Sequence, residues 1–127
     1  MAVNSQAIIT RAYKDIGGLR PGMGMSTDVL NESLSQLNIL VDGWALNRDF
    51  IFQFTGGNWV VLVTFPDLST SFTLAKGNEL ALHKNLAVRL YPALKIYVLH
   101  KLAEPQIQQL EAEAAAALQA ISGVGPS

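Results

Sequence analysis

The sequence predicts a mainly α-helical domain: a small helical bundle of about four helices with an inserted β-hairpin and a flexible C-terminal tail. Two observations predict this fold. Apolar residues recur at helical spacing on both sides of the middle of the chain, and around residues 50–65 the spacing changes to alternation. A length of 127 residues suits one domain. We expect that domain to span 1–121, with the hairpin at about 50–74 and the flexible tail at 122–127.

Composition favours a folded chain that also contacts other chains. Half of the residues are apolar even without glycine, and 15% are charged against a usual share of about 25%. Such a chain has ample apolar area to bury, which excludes disorder. More apolar surface than one small core needs favours contact with further copies or with a partner.

Two helices are expected before the hairpin. The first covers residues 5–16 and is ended by the glycine pair at 17–18. The second begins after Ser26, a favourable N-cap residue, and its apolar positions step by three or four residues as far as Trp44.

The middle of the chain predicts a hairpin. Three phenylalanines at 50, 52 and 54 alternate with other residues, a turn follows at 55–58, and 59–65 is rich in β-branched and aromatic residues. A short third strand is expected at 72–74. Asp67 is the one charged residue between 50 and 75. Because a free strand pair of that composition would aggregate, we expect it to be covered in the working state.

Helical spacing returns near Asn78 or Glu79, and Pro92 predicts a break or kink. Residues 93–102 could form helix or strand, and we favour helix. Pro105 suits the first turn of a last helix, which the apolar spacing carries to Ile121.

The charges are segregated along the chain. Residues 76–101 carry five Lys or Arg against one Glu, whereas 102–127 carry three Glu and no base. Alternating signs on successive elements suit side-by-side packing of identical subunits, although ordinary solvated faces would look the same. The net charge of −1 gives the chain no overall basic field, which argues against non-specific nucleic-acid binding as its role.

No residue pattern indicates catalysis, a cofactor or a metal. There is no cysteine, and the two histidines, His83 and His100, lack acidic neighbours at ligand spacing. Glu79 stands one helical turn before His83, which predicts an ordinary helical pair. We therefore expect no enzyme, no catalytic residues, no cofactor and no metal. No apolar run approaches the roughly 18 residues of a membrane span, so we expect no membrane partner.

Two stretches resemble a known family when taken together. Residues 34–44 read LSQLNILVDGW, and residues 74–92 read LAKGNELALHKNLAVRLYP. With the short first helix and the alanine-rich last one, they resemble the head–tail adaptor (connector) family of tailed phages, typified by the packaged-DNA stabilisation or tail accessory proteins of short-tailed phages. The order and spacing of these motifs are more specific than either motif alone. The resemblance covers most of residues 5–121.

The resemblance implies a structural role in the virion. A ring of about twelve copies would sit under the portal, extend the DNA channel, retain the packaged DNA and offer a platform for the tail. Its partners would be the portal protein ring, further copies of itself, and the next tail or neck protein. Packaged DNA would pass through without sequence-specific binding. The protein would be assembled in the host cytoplasm and located in the virion neck, at the head–tail junction.

The same resemblance implies two contact regions. Portal or subunit contacts would lie on the last helix at Ile107, Leu110, Leu118 and Ile121, although a stripe that closes the core would look identical. Hairpin contacts would involve Phe52, Phe54 and Trp59. Two other functions remain open: a small helical DNA-binding or regulatory module, and another neck protein such as a head-completion or tail-terminator protein.

Overall fold

The computed structural model describes residues 2–123 and 125. Within them the chain forms four helices and two small antiparallel sheets of two strands each, which confirms the predicted fold class. The helices are α1 (Ser5–Asp15), α2 (Thr27–Leu46), α3 (Asn78–Leu94) and α4 (Glu104–Ile121), and the strands are β1 (Ala2–Asn4), β2 (Ile51–Thr55), β3 (Asn58–Leu62) and β4 (Ser71–Thr73).

The core forms around α3, which packs against each of the other three helices. Apolar positions at helical spacing are fully buried where the helices meet, among them Ile8 and Ile9 of α1, Leu37 of α2, and Leu86 of α3. Each such side chain contributes about 1.5–3 kcal/mol by leaving water. Burial of this stripe explains why spacing alone was enough to predict the helices.

The two sheets lie next to each other. β2 pairs with β3 in the predicted hairpin, and β1 pairs with β4. A single bridge between Gln53 and Leu74 connects the pairs, and Ala75 N donates to Phe52 O at 3.0 Å. The third strand therefore exists, one residue earlier than predicted. β1 was not predicted, because three residues are too few to show alternation.

The predictions for residues 92–102 were partly wrong. Pro92 does not end α3, which continues to Leu94 with Lys95 N donating to Tyr91 O at 2.8 Å. The helix that we expected over residues 93–102 does not continue beyond Leu94. The backbone that follows instead bonds the loop after α1: Arg20 N donates to Tyr97 O at 2.8 Å. Long-range pairing here satisfies groups that a helix would otherwise have used.

A glycine makes this close approach possible. Gly17 has φ +98°, and a Cβ at that position would lie 2.8 Å from the backbone oxygen of His100. Only glycine fits both the left-handed backbone and the contact. The glycine pair after α1 thus ends the helix and also allows residues 97–100 to pack against this loop.

The predicted tail lies partly outside the described residues. Ser122 Oγ donates at 2.6 Å to Asp49 Oδ1, in the connection between α2 and β2. Val124 and residues 126–127 are not among the residues that the structure describes, so the expected flexibility of 122–127 stays a prediction. In the described part of the chain, no helix is long and apolar enough to cross a bilayer.

Stability at alkaline pH should depend on Tyr13. This side chain is 4% exposed, and its hydroxyl lies 2.6 Å from Ser33 Oγ, which donates to Val29 O. Burial raises the pKa of Tyr13 above its usual value of 10.0, and the hydrogen bond with Ser33 opposes that rise. The unfolded chain therefore ionises first, and the free energy of unfolding should fall as pH rises above about 10. Below that pH the contribution is complete.

The measurement is the urea midpoint at several values between about pH 8 and pH 11, for the wild type and for Tyr13→Phe. The variant should show a flatter alkaline limb. Identical slopes in the two proteins would show that Tyr13 is not the group responsible.

Candidate interaction site

One face of the hairpin is buried at its base only, and farther out both faces are exposed or partly exposed. Ile51 and Leu62 stand opposite each other, are 1% and 4% exposed, and join the core. The other face carries Phe52, Phe54, Trp59 and Val61, which we call the outer face. Alternation along a strand sends neighbouring side chains to opposite faces, so the three predicted contact residues lie together on this surface.

The outer face is apolar and open to solvent. Phe54 opposite Trp59 forms an edge-to-face pair with ring centroids 5.2 Å apart, yet Phe54 remains 45% exposed. Val61 is 39% exposed, and neither β2 nor β3 contains a charged residue. A contiguous apolar surface of this kind is typical of a contact region. That it is covered in the working state remains a prediction.

The base of the hairpin is fixed to α3. Phe52 N donates to Asn78 Oδ1 at 2.9 Å, and the Asn78 side chain is buried at the first turn of α3. The Phe52 side chain is partly buried and lines a cleft of about 300 Å³ shared with Ala120 and Ile121 of α4. Phe52 therefore connects the hairpin to both later helices, whereas Phe54 and Trp59 lie farther out.

The end of the hairpin is held by Asn38 of α2. Its Oδ1 accepts from Phe65 N at 2.7 Å, and its Nδ2 donates to Phe65 O at 3.0 Å. The Asn38 side chain thus makes with Phe65 the two backbone hydrogen bonds that a neighbouring strand would otherwise make. Sequence reasoning missed both asparagines. For Asn38 the available signal was an amide residue within the apolar stripe of α2, and Asn78 at the start of α3 had no such signal.

The four candidate residues of α4 divide into two groups. Leu110 and Ile121 are each 6% exposed and pack in the core of the same chain. Leu118 is partly buried at the edge of that core, and Ile107 is partly buried where it lines a cavity of about 100 Å³. Leu110 and Ile121 therefore close the core, which was the alternative interpretation of this stripe. Ile107 and Leu118 retain accessible surface.

An ion cluster joins three helices. His83 Nδ1 lies 2.6 Å from Asp15 Oδ2, and Lys84 Nζ lies 3.4 Å from Asp15 Oδ1 and 3.5 Å from Glu113 Oε1. The predicted pair of Glu79 with His83 was wrong. Asp15 at the end of α1 reaches His83 because α1 packs across α3, and a separation of 68 residues leaves no local signal.

The cluster and its surroundings also bear on the charge pattern. Arg89 Nε donates to Gln36 Oε1 at 2.6 Å, and Gln36 donates in turn to Glu32 at 3.1 Å. Two of the basic residues in 76–101 are therefore engaged by α1, α2 and α4 of the same chain. Packing within one subunit accounts for part of the alternation in sign. Across residues 2–123 and 125, no group of three His, Asp or Glu side chains is placed to hold a metal ion.

Comparisons with known proteins add no relative. No protein-family model matches the chain, and no curated protein or solved structure is significantly similar to it.

Proposed function

We propose that the chain is a structural head–tail adaptor of a tailed bacteriophage. About twelve copies form a ring under the portal, extend the DNA channel, retain the packaged DNA and carry the tail attachment platform. One observation carries the proposal: the adaptor-like motifs occur in order on α2, α3 and α4, which share one core, and an uncharged hairpin with an exposed apolar face stands between them.

The parts of the molecule suit distinct roles in such a ring. The helical core forms a stiff block because α3 contacts all three of the remaining helices, α1, α2 and α4. The outer face of the hairpin offers apolar surface to a neighbouring copy or to the next tail or neck protein. DNA passing through the ring needs no base contacts, and the net charge of −1 leaves it weakly held. This role requires no catalysis.

Portal contact is assigned to the accessible part of α4. Ile107 and Leu118 present partly exposed apolar side chains, while Leu110 and Ile121 fix the helix from the core side. The segment after Ser122 would add to this contact by ordering on the portal. Deleting α4 is not a clean test, because its removal would open the core.

The test is the mass, by light scattering, of the chain mixed with the portal ring from the same genome. A gain near twelve copies per ring is expected. No gain would overturn the adaptor proposal. Duplex DNA at moderate salt serves as a second arm, where no gel shift is expected because a net charge of −1 gives no overall basic field. A shift would favour the DNA-binding alternative.

A variant locates the contact. The double substitution Ile107→Gln with Leu118→Gln should abolish the mass gain, since it removes apolar contact area at the centre of the assigned surface. The matched control is Leu80→Gln, which changes a leucine that is 48% exposed on α3. It should leave attachment unchanged. Equal attachment by both proteins would place the portal contact elsewhere.

A further inference from the structure

Among residues 2–123 and 125, no strand lies beside one edge of β3. Phe52 donates to Asn78 and accepts from Ala75, so neither of its backbone groups bonds to Val61, which lies opposite. Antiparallel pairs alternate between bonded and non-bonded, and Phe52–Val61 is a non-bonded pair. The N–H and C=O of Val61 therefore point away from β2. The same alternation orients Trp59 away from β2, and continued by one residue beyond the end of β3 it orients Val63 in the same way.

This edge lacks the features that usually prevent pairing. Edge strands are protected by charged side chains, prolines, bulges or a covering element. β3 has no charge, no proline and no bulge in its register with β2. Asn38 contacts this side of the chain at Thr64 and Phe65, both of which lie beyond the end of β3 at Leu62. Val61 and Val63 remain 39% and 64% exposed, so the edge is open to a partner strand.

The pattern of the strand is self-complementary. Residues 58–64 read NWVVLVT, with a polar residue at each end and five apolar residues between them. In an antiparallel pair of two such strands centred on Val61, Val60 faces Leu62 and Trp59 faces Val63. Every facing pair is then apolar with apolar or polar with polar, and no charge opposes another.

We propose that this edge of β3 binds the same edge of a second copy of the chain, with Val61 on the two-fold axis. The two hairpins then form one continuous sheet of four strands, joined by about six backbone hydrogen bonds. A second copy is favoured over another protein because the edge offers only a symmetric apolar pattern, which its own copy matches along the whole strand.

The other open edge of the sheets is a poor partner for β3. β1 has three residues, and Asn4 at its end is already committed as the N-cap of α1, where its side chain accepts from Ala7 N at 2.8 Å. Head-to-tail pairing of β3 with β1 would leave part of β3 uncovered. Two-fold pairing covers the full strand.

This pairing concerns the free chain and does not rest on the adaptor role. It is tested without the portal, by sedimentation equilibrium of the protein alone. The wild type should show a reversible dimer, and a chain that stays monomeric up to about 500 µM would overturn the proposal.

Charge reversal at the axis tests the register. Val61→Lys and Val61→Glu each place like charges opposite each other and should weaken the dimer by more than about tenfold. An equimolar mixture of the two should form a heterodimer. The matched control, Leu46→Lys, adds a charge at a leucine that is 84% exposed on α2 and should dimerise like the wild type.

Each remaining outcome is decisive. Dimers of Val61→Lys alone, or a mixture that stays monomeric while both variants are folded by circular dichroism, would overturn the proposal. Val63→Pro provides a second test through the backbone, since it removes a donor that points away from β2 and leaves the hairpin ladder intact. It should weaken the dimer, and unchanged dimerisation would also overturn the pairing.

Discussion

Replacing Asp15 by alanine is expected to lower the free energy of unfolding by about 3 kcal/mol. The carboxylate is 10% exposed and faces His83 at 2.6 Å and Lys84 at 3.4 Å. Its removal leaves His83 buried without its partner and Lys84 with only the more distant Glu113. The loss of stability should lie at the lower end of the range for breaking a buried ion pair, because the Lys84 side chain is 20% exposed and partly solvated.

Urea denaturation followed by circular dichroism measures this effect. Glu79→Ala is the matched control, since Glu79 is the exposed acid that the helical spacing alone would pair with His83. It should change stability by less than about 0.5 kcal/mol. Equal losses in the two variants would contradict the assignment of Asp15 as the partner.

Replacing Phe65 by alanine is expected to cost about 4 kcal/mol. Its ring is 1% exposed and meets Phe72 edge to face, with centroids 5.4 Å apart and planes at 89°. The substitution leaves a large cavity where the end of the hairpin meets the core. The hydrogen bonds between the Phe65 backbone and Asn38 remain possible in the variant, so the lost stability comes from removal of the ring.

The comparison variant is Phe54→Ala, on the outer face of the same hairpin. Phe54 is 45% exposed and contacts Trp59, so its loss should cost no more than about 1.5 kcal/mol. Thermal and urea unfolding of both variants give the difference. A Phe54→Ala variant as unstable as Phe65→Ala would mean that the outer face is covered within the free chain.

Most of the fold follows from local patterns. The helical stripes of α1 to α4 are set by which side chains meet the core, and that periodicity is visible in the sequence. The strands of the hairpin were predicted from alternating phenylalanines and from β-branched and aromatic residues, although Phe52 and Phe54 lie on the outer face and Ile51 is the β2 residue that joins the core. The turn is visible too, because Gly56 and Gly57 have φ +59° and +82°, which suits a tight two-residue hairpin turn.

What the sequence did not reveal depends on contacts between distant residues. The pairing of residues 97–99 with the loop after α1 follows from the close approach at Gly17. The partner of His83 depends on how α1 crosses α3. Pro92 remains inside a helix because packing of α3 offsets the missing N–H. None of these has a local signal, since each is decided by tertiary packing.

The candidate sites divide in the same way. Alternation along β2 places Phe52 and Phe54 on one face of the hairpin, whereas Trp59 joins them through the register in which it pairs with Phe54. Helical spacing cannot tell an apolar stripe that closes the core from one that binds a partner. For that reason the burial of Leu110 and Ile121 had to come from the structure.

The proposed role as an adaptor is tested most directly by electron microscopy of the chain bound to its portal ring. We expect a second ring, coaxial with the portal, in which α4 faces the portal and the hairpins lie away from it or between copies. Density that is absent, or that lies off the channel axis, would contradict the adaptor role.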